Sequence, residues 1–372
     1  MKIAEIINHL ETIAPPVLQE DYDNAGLITG NAAWNCTGIL CTLDATEAVV
    51  EEAKTVSCNL IVAHHPIVFR GLKKINGKNY VEQTIINAIK NDIAIYAIHT
   101  NLDNVITGVN NKIADKLGLK NRQVLLPKEN MLKKLCTFVP LEHAENVRSA
   151  LFSAGAGSIG NYSECSFNAA GKGTFRAGEN THPFVGEQNL RHTEDEVKIE
   201  VVFPFYLEQK ILAALLRAHP YEEVAYDIIL LSNQYNNIGS GLIGELEAEK
   251  PEADFLAAIK GAFGLSVIKH TPLLQKPVKK VAVCGGAGSF LIHKAKAAGA
   301  DFYITSDIKY HEFFDADGKL VIADIGHWES EQFTTELLYD ILQAKFPNFA
   351  VLKTKMDTNP VKYFTGHWNI KY

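Results

Sequence analysis

The sequence predicts an α/β protein: two α/β lobes with mostly parallel sheets that form one unit, plus an inserted ferredoxin-like α+β domain. Three observations carry this. Short continuous apolar runs alternate with helix-length amphipathic segments towards both ends of the chain, as expected of strands covered on both faces of a parallel sheet. The middle reads strand, helix, strand, strand, helix, strand, which is the ferredoxin-like order. Polar residues collect where the apolar runs end, the place where ligands gather in parallel sheets.

The elements follow in chain order. The opening carries Ile3, Ile6, Ile7 and Leu10 at helical spacing, and Pro15-Pro16 ends it. Residues 23–27 are rich in turn formers. An apolar strand over 38–44 precedes a helix over about 46–56. A second strand, 60–63, runs into His64-His65-Pro66. A helix over 79–91, a strand over 93–98 and a helix over 108–117 complete this lobe, taken as 1–127. From 128 to 231 the pattern changes. Strands are expected at 135–139, around 165–169, at 197–204 and at 224–229, with helices at 143–154 and 207–218. The stretch from Gly171 to Thr193 is polar and rich in Gly, Asn and Thr. The last lobe, 232–372, returns to α/β. Its strands at 281–284, 302–305 and 320–324 lead into a glycine loop, into Ser306–His311 and into Gly326-His327, and a helix is expected over 329–344.

Composition narrows the function. The chain has 372 residues, 47% of them hydrophobic, enough for about two or three domains. Its 36 basic against 43 acidic residues, a net charge of −7, oppose general nucleic-acid binding, which needs a basic face. The six cysteines include no C-x-x-C pair and read as reduced thiols, which fits a cytoplasmic location. No stretch approaches the roughly 18 uninterrupted apolar residues of a membrane span, and the N-terminus lacks a signal-peptide core.

The residues that carry chemistry stand at three strand ends. His64-His65 closes one strand, and Asp103 follows the next within His99-Thr100-Asn101-Leu102-Asp103. His327 and Glu331 lie four apart, on one face of a helix that starts there. Each alone is open to a packing or capping role. Together the five imidazole and carboxylate donors point to divalent metal, with the two lobes forming one metal-binding unit. They exceed a closed zinc site, so one carboxylate, Asp103 or Glu331, is expected to bridge two ions. The donor set suits Zn, Fe, Mn or Co. His99 and Asn101 are expected as hydrogen-bonding supports. Asp307 and His311, again four apart, are candidates for substrate contact, proton transfer or structural hydrogen bonding. Cys284–Ser289 could present amides to a phosphate but lacks the P-loop lysine, so a tight turn is the alternative.

Motifs along the chain resemble the NGG-interacting-factor-three-like family, known in bacteria as GTP cyclohydrolase I type 2 homologues. They are DNAGL (23–27), AHHP (63–66), HTNLD (99–103), the stretch from GGAGS through SDIKYH (285–311) and GHWESE (326–331). The resemblance implies a dinuclear site at His64, His65, Asp103, His327 and Glu331, and a toroidal homohexamer with its metal sites facing the cavity. It also implies hydrolytic opening of GTP to formate and dihydroneopterin triphosphate, hence a nucleotide substrate. Residues 218–227 resemble the CutA/PII-like insert of longer members. Ser306 stands where the family usually has glycine. A non-catalytic metal-handling or regulatory protein is the competing class.

Overall fold

The computed structural model describes residues 1–364; the end of the expected last lobe, 365–372, lies outside the described residues. The chain folds as two units, Lys128–Tyr235 and the remainder on either side of it.

The first arm of the larger unit begins with α1 (Ile3–Ile13), whose Ile3, Ile6, Ile7 and Leu10 are buried. Then come β1 (Gly26–Thr29), β2 (Ile39–Asp44), α2 (Glu47–Thr55), β3 (Leu60–His65), α3 (Tyr80–Lys90), β4 (Ala94–Ala97), α4 (Thr100–Asp103), α5 (Val109–Lys116) and β5 (Lys120–Pro127). Side-chain caps start two of these helices. Thr46 accepts the Val49 N–H before α2, and Asn79 accepts the Glu82 N–H before α3. Each satisfies an amide that a helix start leaves open.

The smaller unit comprises β6 (Leu132–Pro140), α6 (Ala144–Ala154), β7 (Phe167–Arg176), β8 (Arg191–Pro204), α7 (Glu208–Ala218) and β9 (Tyr226–Leu231). Its sheet has the order β7-β8-β6-β9, antiparallel throughout, which is the ferredoxin-like arrangement. Alternate residues of β8 (Val197, Ile199, Val201, Phe203) pack with Val147 and Leu151 of α6 and Ile211 and Leu215 of α7. The sequence reading leaves 171–193 irregular. In the structure β7 and β8 pair over ten residues, from Phe167↔Glu200 to Arg176↔Arg191. Over 171–176 and 191–195 the ribbon lies largely open to solvent and carries no apolar alternation to betray it.

The second arm of the larger unit runs β10 (Gly239–Pro251), α8 (Glu252–Phe263), β11 (Lys269–His270), β12 (Pro277–Ala287), α9 (Ile292–Ala297), β13 (Phe302–Ser306), β14 (Val321–Asp324), α10 (His327–Glu331), α11 (Thr334–Lys345) and β15 (Val351–Lys353). Two sheets result, ordered β1-β4-β3-β2-β15 and β11-β14-β13-β12-β10-β5. The first is parallel except at β1. The second is mixed rather than mostly parallel: β12-β13-β14 are parallel, but β11, β10 and β5 join antiparallel. Each arm also lends a strand to the other's sheet, β5 to the second and β15 to the first. Separate cores, one around Leu40, Ile61 and Ile95 and one around Ala282, Tyr303 and Ile322, hold the sheets against their helices.

Candidate metal centre

The parallel sheet places two imidazoles at the end of β3. Adjacent strand residues ordinarily face opposite ways, yet at this strand end the His64 and His65 rings lie 4.9 Å apart, tilted by 42°. His64 is fully buried and its Nδ1 lies 2.8 Å from the Ile98 carbonyl. A carbonyl only accepts, so Nδ1 carries the proton and Nε2 is left as a lone pair. Asp44 lies directly opposite His65 in the β2–β3 register, and Asp44 Oδ1 sits 2.7 Å from His65 Nδ1.

The next strand end supplies a carboxylate. After β4 the chain enters the single turn α4, which carries Asp103. Asp103 Oδ1 lies 3.5 Å from His64 Nε2. Both atoms are buried and neither makes a hydrogen bond. His99, just before α4, has its Nδ1 2.8 Å from Asp23 Oδ1, while Asp23 Oδ2 accepts the Thr100 amide and hydroxyl. Asn101 accepts the His99 amide and donates to the Ala14 carbonyl.

The second arm completes the cluster. Gly326 enters α10 with φ 91°, and a Cβ there would meet the Glu329 carboxylate at 2.2 Å. The turn places His327 and Glu331 four apart, with His327 Nε2 3.2 Å from Glu331 Oε2. The same carboxylate oxygen lies 2.9 Å from His65 Nε2, while Glu331 Oε1 lies 3.9 Å from His64 Nε2. Glu331 therefore stands between the two halves of the cluster. Room for it comes from Gly286, at φ 62°, where a Cβ would sit 2.5 Å from Glu331 Oε1. Asp307 adopts φ 55°, a left-handed conformation that aspartate tolerates, and its Oδ2 is 2.6 Å from His327 Nδ1.

Electrostatics separates the imidazoles. Burial, with the neighbouring His65 and His99, holds His64 down at about 3, so it is neutral at pH 7. Burial also opposes the charge of His65, but the Asp44 and Glu331 carboxylates overcome it and push that group up to about 10. Glu331 and Asp307 likewise raise His327 to about 9 against its burial. Burial and the Glu331 charge lift Asp103 well above the usual carboxylate range. Glu331 lies well below it: bonds from His327 and His65 outweigh desolvation.

Among the described residues, the groups able to grip one ion are His64 with Asp103 and Glu331, His65 with His327 and Glu331, and His64 with His65 and His99. The five residues singled out in the sequence thus meet at one place, with His99 as a further imidazole. Asp307 contacts the cluster through His327. His311 is exposed and packs against Tyr310 and Phe314. Asp44 and Asp23, each fixing a histidine, had no assigned role in the sequence. For Asp44 the signal was its position at the end of the strand beside β3. The glycine loop is not a free amide cradle: Gly285 N–H donates to Asn110 and Gly286 N–H to Ser330. Ser306 donates to the Gly286 carbonyl.

The model of the Duf34/NIF3 family (NGG1p interacting factor 3) matches residues 1–360. Curated relatives named "GTP cyclohydrolase 1 type 2 homolog" include one from Halalkalibacterium halodurans, 40% identical and covering 98% of this chain and 100% of its own. Another, from Bacillus subtilis, is 37% identical over 96% and 98%. Among solved structures, a Bacillus cereus protein related to NIF3 superimposes with a TM-score of 0.86 at 39% identity, covering 98% of this chain and 99% of that one. Staphylococcus aureus protein SA1388 gives 0.77 at 28%, over 98% and 99%. The chain belongs to the Duf34/NIF3 family.

Proposed function

We propose that the cluster binds two divalent cations and that the protein is a metal-dependent hydrolase of the GTP cyclohydrolase I type 2 kind. One ion is assigned to His64, Asp103 and Glu331, the other to His65, His327 and Glu331, with Glu331 as the bridge. A single observation carries the reading. A neutral imidazole lone pair and a carboxylate oxygen face each other at 3.5 Å, buried and unpaired. Two acceptors left so are costly unless a proton, which the raised Asp103 carboxyl can hold, or a metal cation sits between them. Imidazole and carboxylate donors suit Zn, Fe, Mn or Co. A bound pair of ions would supply an activated water and stabilise oxyanion charge. Asp44 and Asp307 orient His65 and His327. We assign His311, exposed on the same loop as Asp307, to substrate contact.

The names of the curated relatives support a nucleotide substrate. The family resemblance supports a homohexameric ring. The domains are proposed at 1–127, 128–231 and 232–372, with the CutA/PII-like middle domain as a regulatory module. Six free cysteines support a cytoplasmic setting, and among the described residues no helix is long and apolar enough to cross a membrane.

The test is GTP turnover by metal-loaded protein. Formate release that disappears in His65→Ala supports the hydrolase. Tight metal binding with no turnover of any nucleotide supports the second reading, a metal-handling or regulatory protein. The committed amides of Gly285 and Gly286, which leave that loop unable to cradle a phosphate with them, favour this alternative.

A further inference from the structure

The smaller unit contains a cavity of about 670 Å³ on the face of its sheet that the helices do not cover. Small-molecule sites fall in the range of about 300–1,000 Å³. Its floor is the β7–β8 ribbon. Gly171 lies opposite Glu196 in the register, and Gly173 and Phe175 share that face. With no side chain at Gly173, the Glu196 carboxylate leans across the strand, where a Cβ would meet its Oε2 at 2.1 Å. The Tyr221 hydroxyl holds the carboxylate, donating to Glu196 Oε1 at 2.9 Å. Tyr221 also stands at the centre of an aromatic wall, its ring 6.2 Å from Phe175 and 6.3 Å from Phe184. Phe138 and Ala169 line the cavity as well.

The balance of charge decides what such a cavity accepts. Two of its lysines are already matched, Lys198 by Glu200 and Lys172 by Asp195. Three lining carboxylates, Glu196, Glu222 and Glu223, form no ion pair among the described residues, against one cation, Arg176, that also forms none. Aromatic ring faces attract cations, and a fixed carboxylate among them adds a charge-assisted hydrogen bond. We infer that this cavity is a binding site for a small organic cation, a primary amine or guanidinium on an apolar stem. The acid Glu196 receives the charged head, Phe175, Phe184 and Tyr221 enclose it, and Phe138 takes the stem. The inference is independent of the metal cluster, since every residue it uses belongs to the smaller unit.

Isothermal titration calorimetry of the full-length, metal-loaded chain tests it. The probes are phenethylamine and agmatine, with 2-phenylethanol and phenylacetate as neutral and anionic controls. At least one cationic probe is expected to bind at one per chain, with both controls at least about tenfold weaker. Glu196→Gln is expected to weaken the cation at least about tenfold. Tyr221→Phe, which keeps the ring and frees the carboxylate, is expected to weaken it less. Circular dichroism and thermal unfolding check each variant, and where Glu196→Gln fails to fold, Tyr221→Phe decides. Absence of binding by both cations overturns the inference. So does equal binding of a control, or cation binding that is unchanged in the folded Glu196→Gln protein or, in its place, in Tyr221→Phe.

Discussion

Glu331 is the side chain on which the proposed centre turns, because its two oxygens address different histidines. Two of these histidines, His65 and His327, are held by carboxylates behind them, Asp44 and Asp307, and those have measurable weight. Replacing a group that orients a metal-bound histidine typically costs about 10–100-fold in metal affinity. Asp44→Asn should weaken one of the two ions by that amount and leave the other near its original affinity, as read by competition with a chromogenic chelator. Protonation gives a second expectation. In the metal-free protein His65 titrates at about 10 and His327 at about 9, so both hold protons at pH 7. A metal must displace them, so affinity rises with pH from 6 towards 9. At pH 7 loading should release at least about two protons per chain, measured by calorimetry in buffers of different ionisation enthalpy. The ligand candidates were legible in the sequence because three strand ends together offer five imidazole and carboxylate donors, though each alone is open to a packing or capping role. Asp44 and Asp23 were not, since their roles exist only once strand register and the loop before β1 are in place.

Among the elements, the strand-to-helix turns do the positioning. α10 begins at His327 because Gly326 takes a conformation that most residues avoid, and the β12 end admits Glu331 because Gly286 lacks a Cβ. Gly286→Ala combines a positive φ with a direct clash. It should destabilise the metal-free protein by about 1–3 kcal/mol in urea unfolding and also weaken metal binding. Buried parallel strands such as β3 and β13 were readable as unbroken apolar runs. The outer part of the β7–β8 ribbon, over 171–193, was not, because solvent meets its residues and no period survives; β10 was not read either, although only its far end is exposed. The same loss of signal hid part of the antiparallel half of the second sheet, where β11 and the first residues of β5 are exposed.

Across the chain as a unit, the exchange of β5 and β15 ties the two arms together, so residues separated by more than half the sequence face one another. His65 and Glu331 are 266 positions apart yet 2.9 Å from each other. That convergence could not be read from composition or periodicity alone; the placement of the five donors at three strand ends pointed to it, and so did the shared motifs of the family. It is also what a crystal of metal-loaded protein examines. Anomalous diffraction at the absorption edge of the loaded metal should show two peaks per chain, about 3.5–4 Å apart, with the Glu331 carboxylate between them. A single peak, or a pair that leaves Glu331 uncoordinated, contradicts the dinuclear assignment.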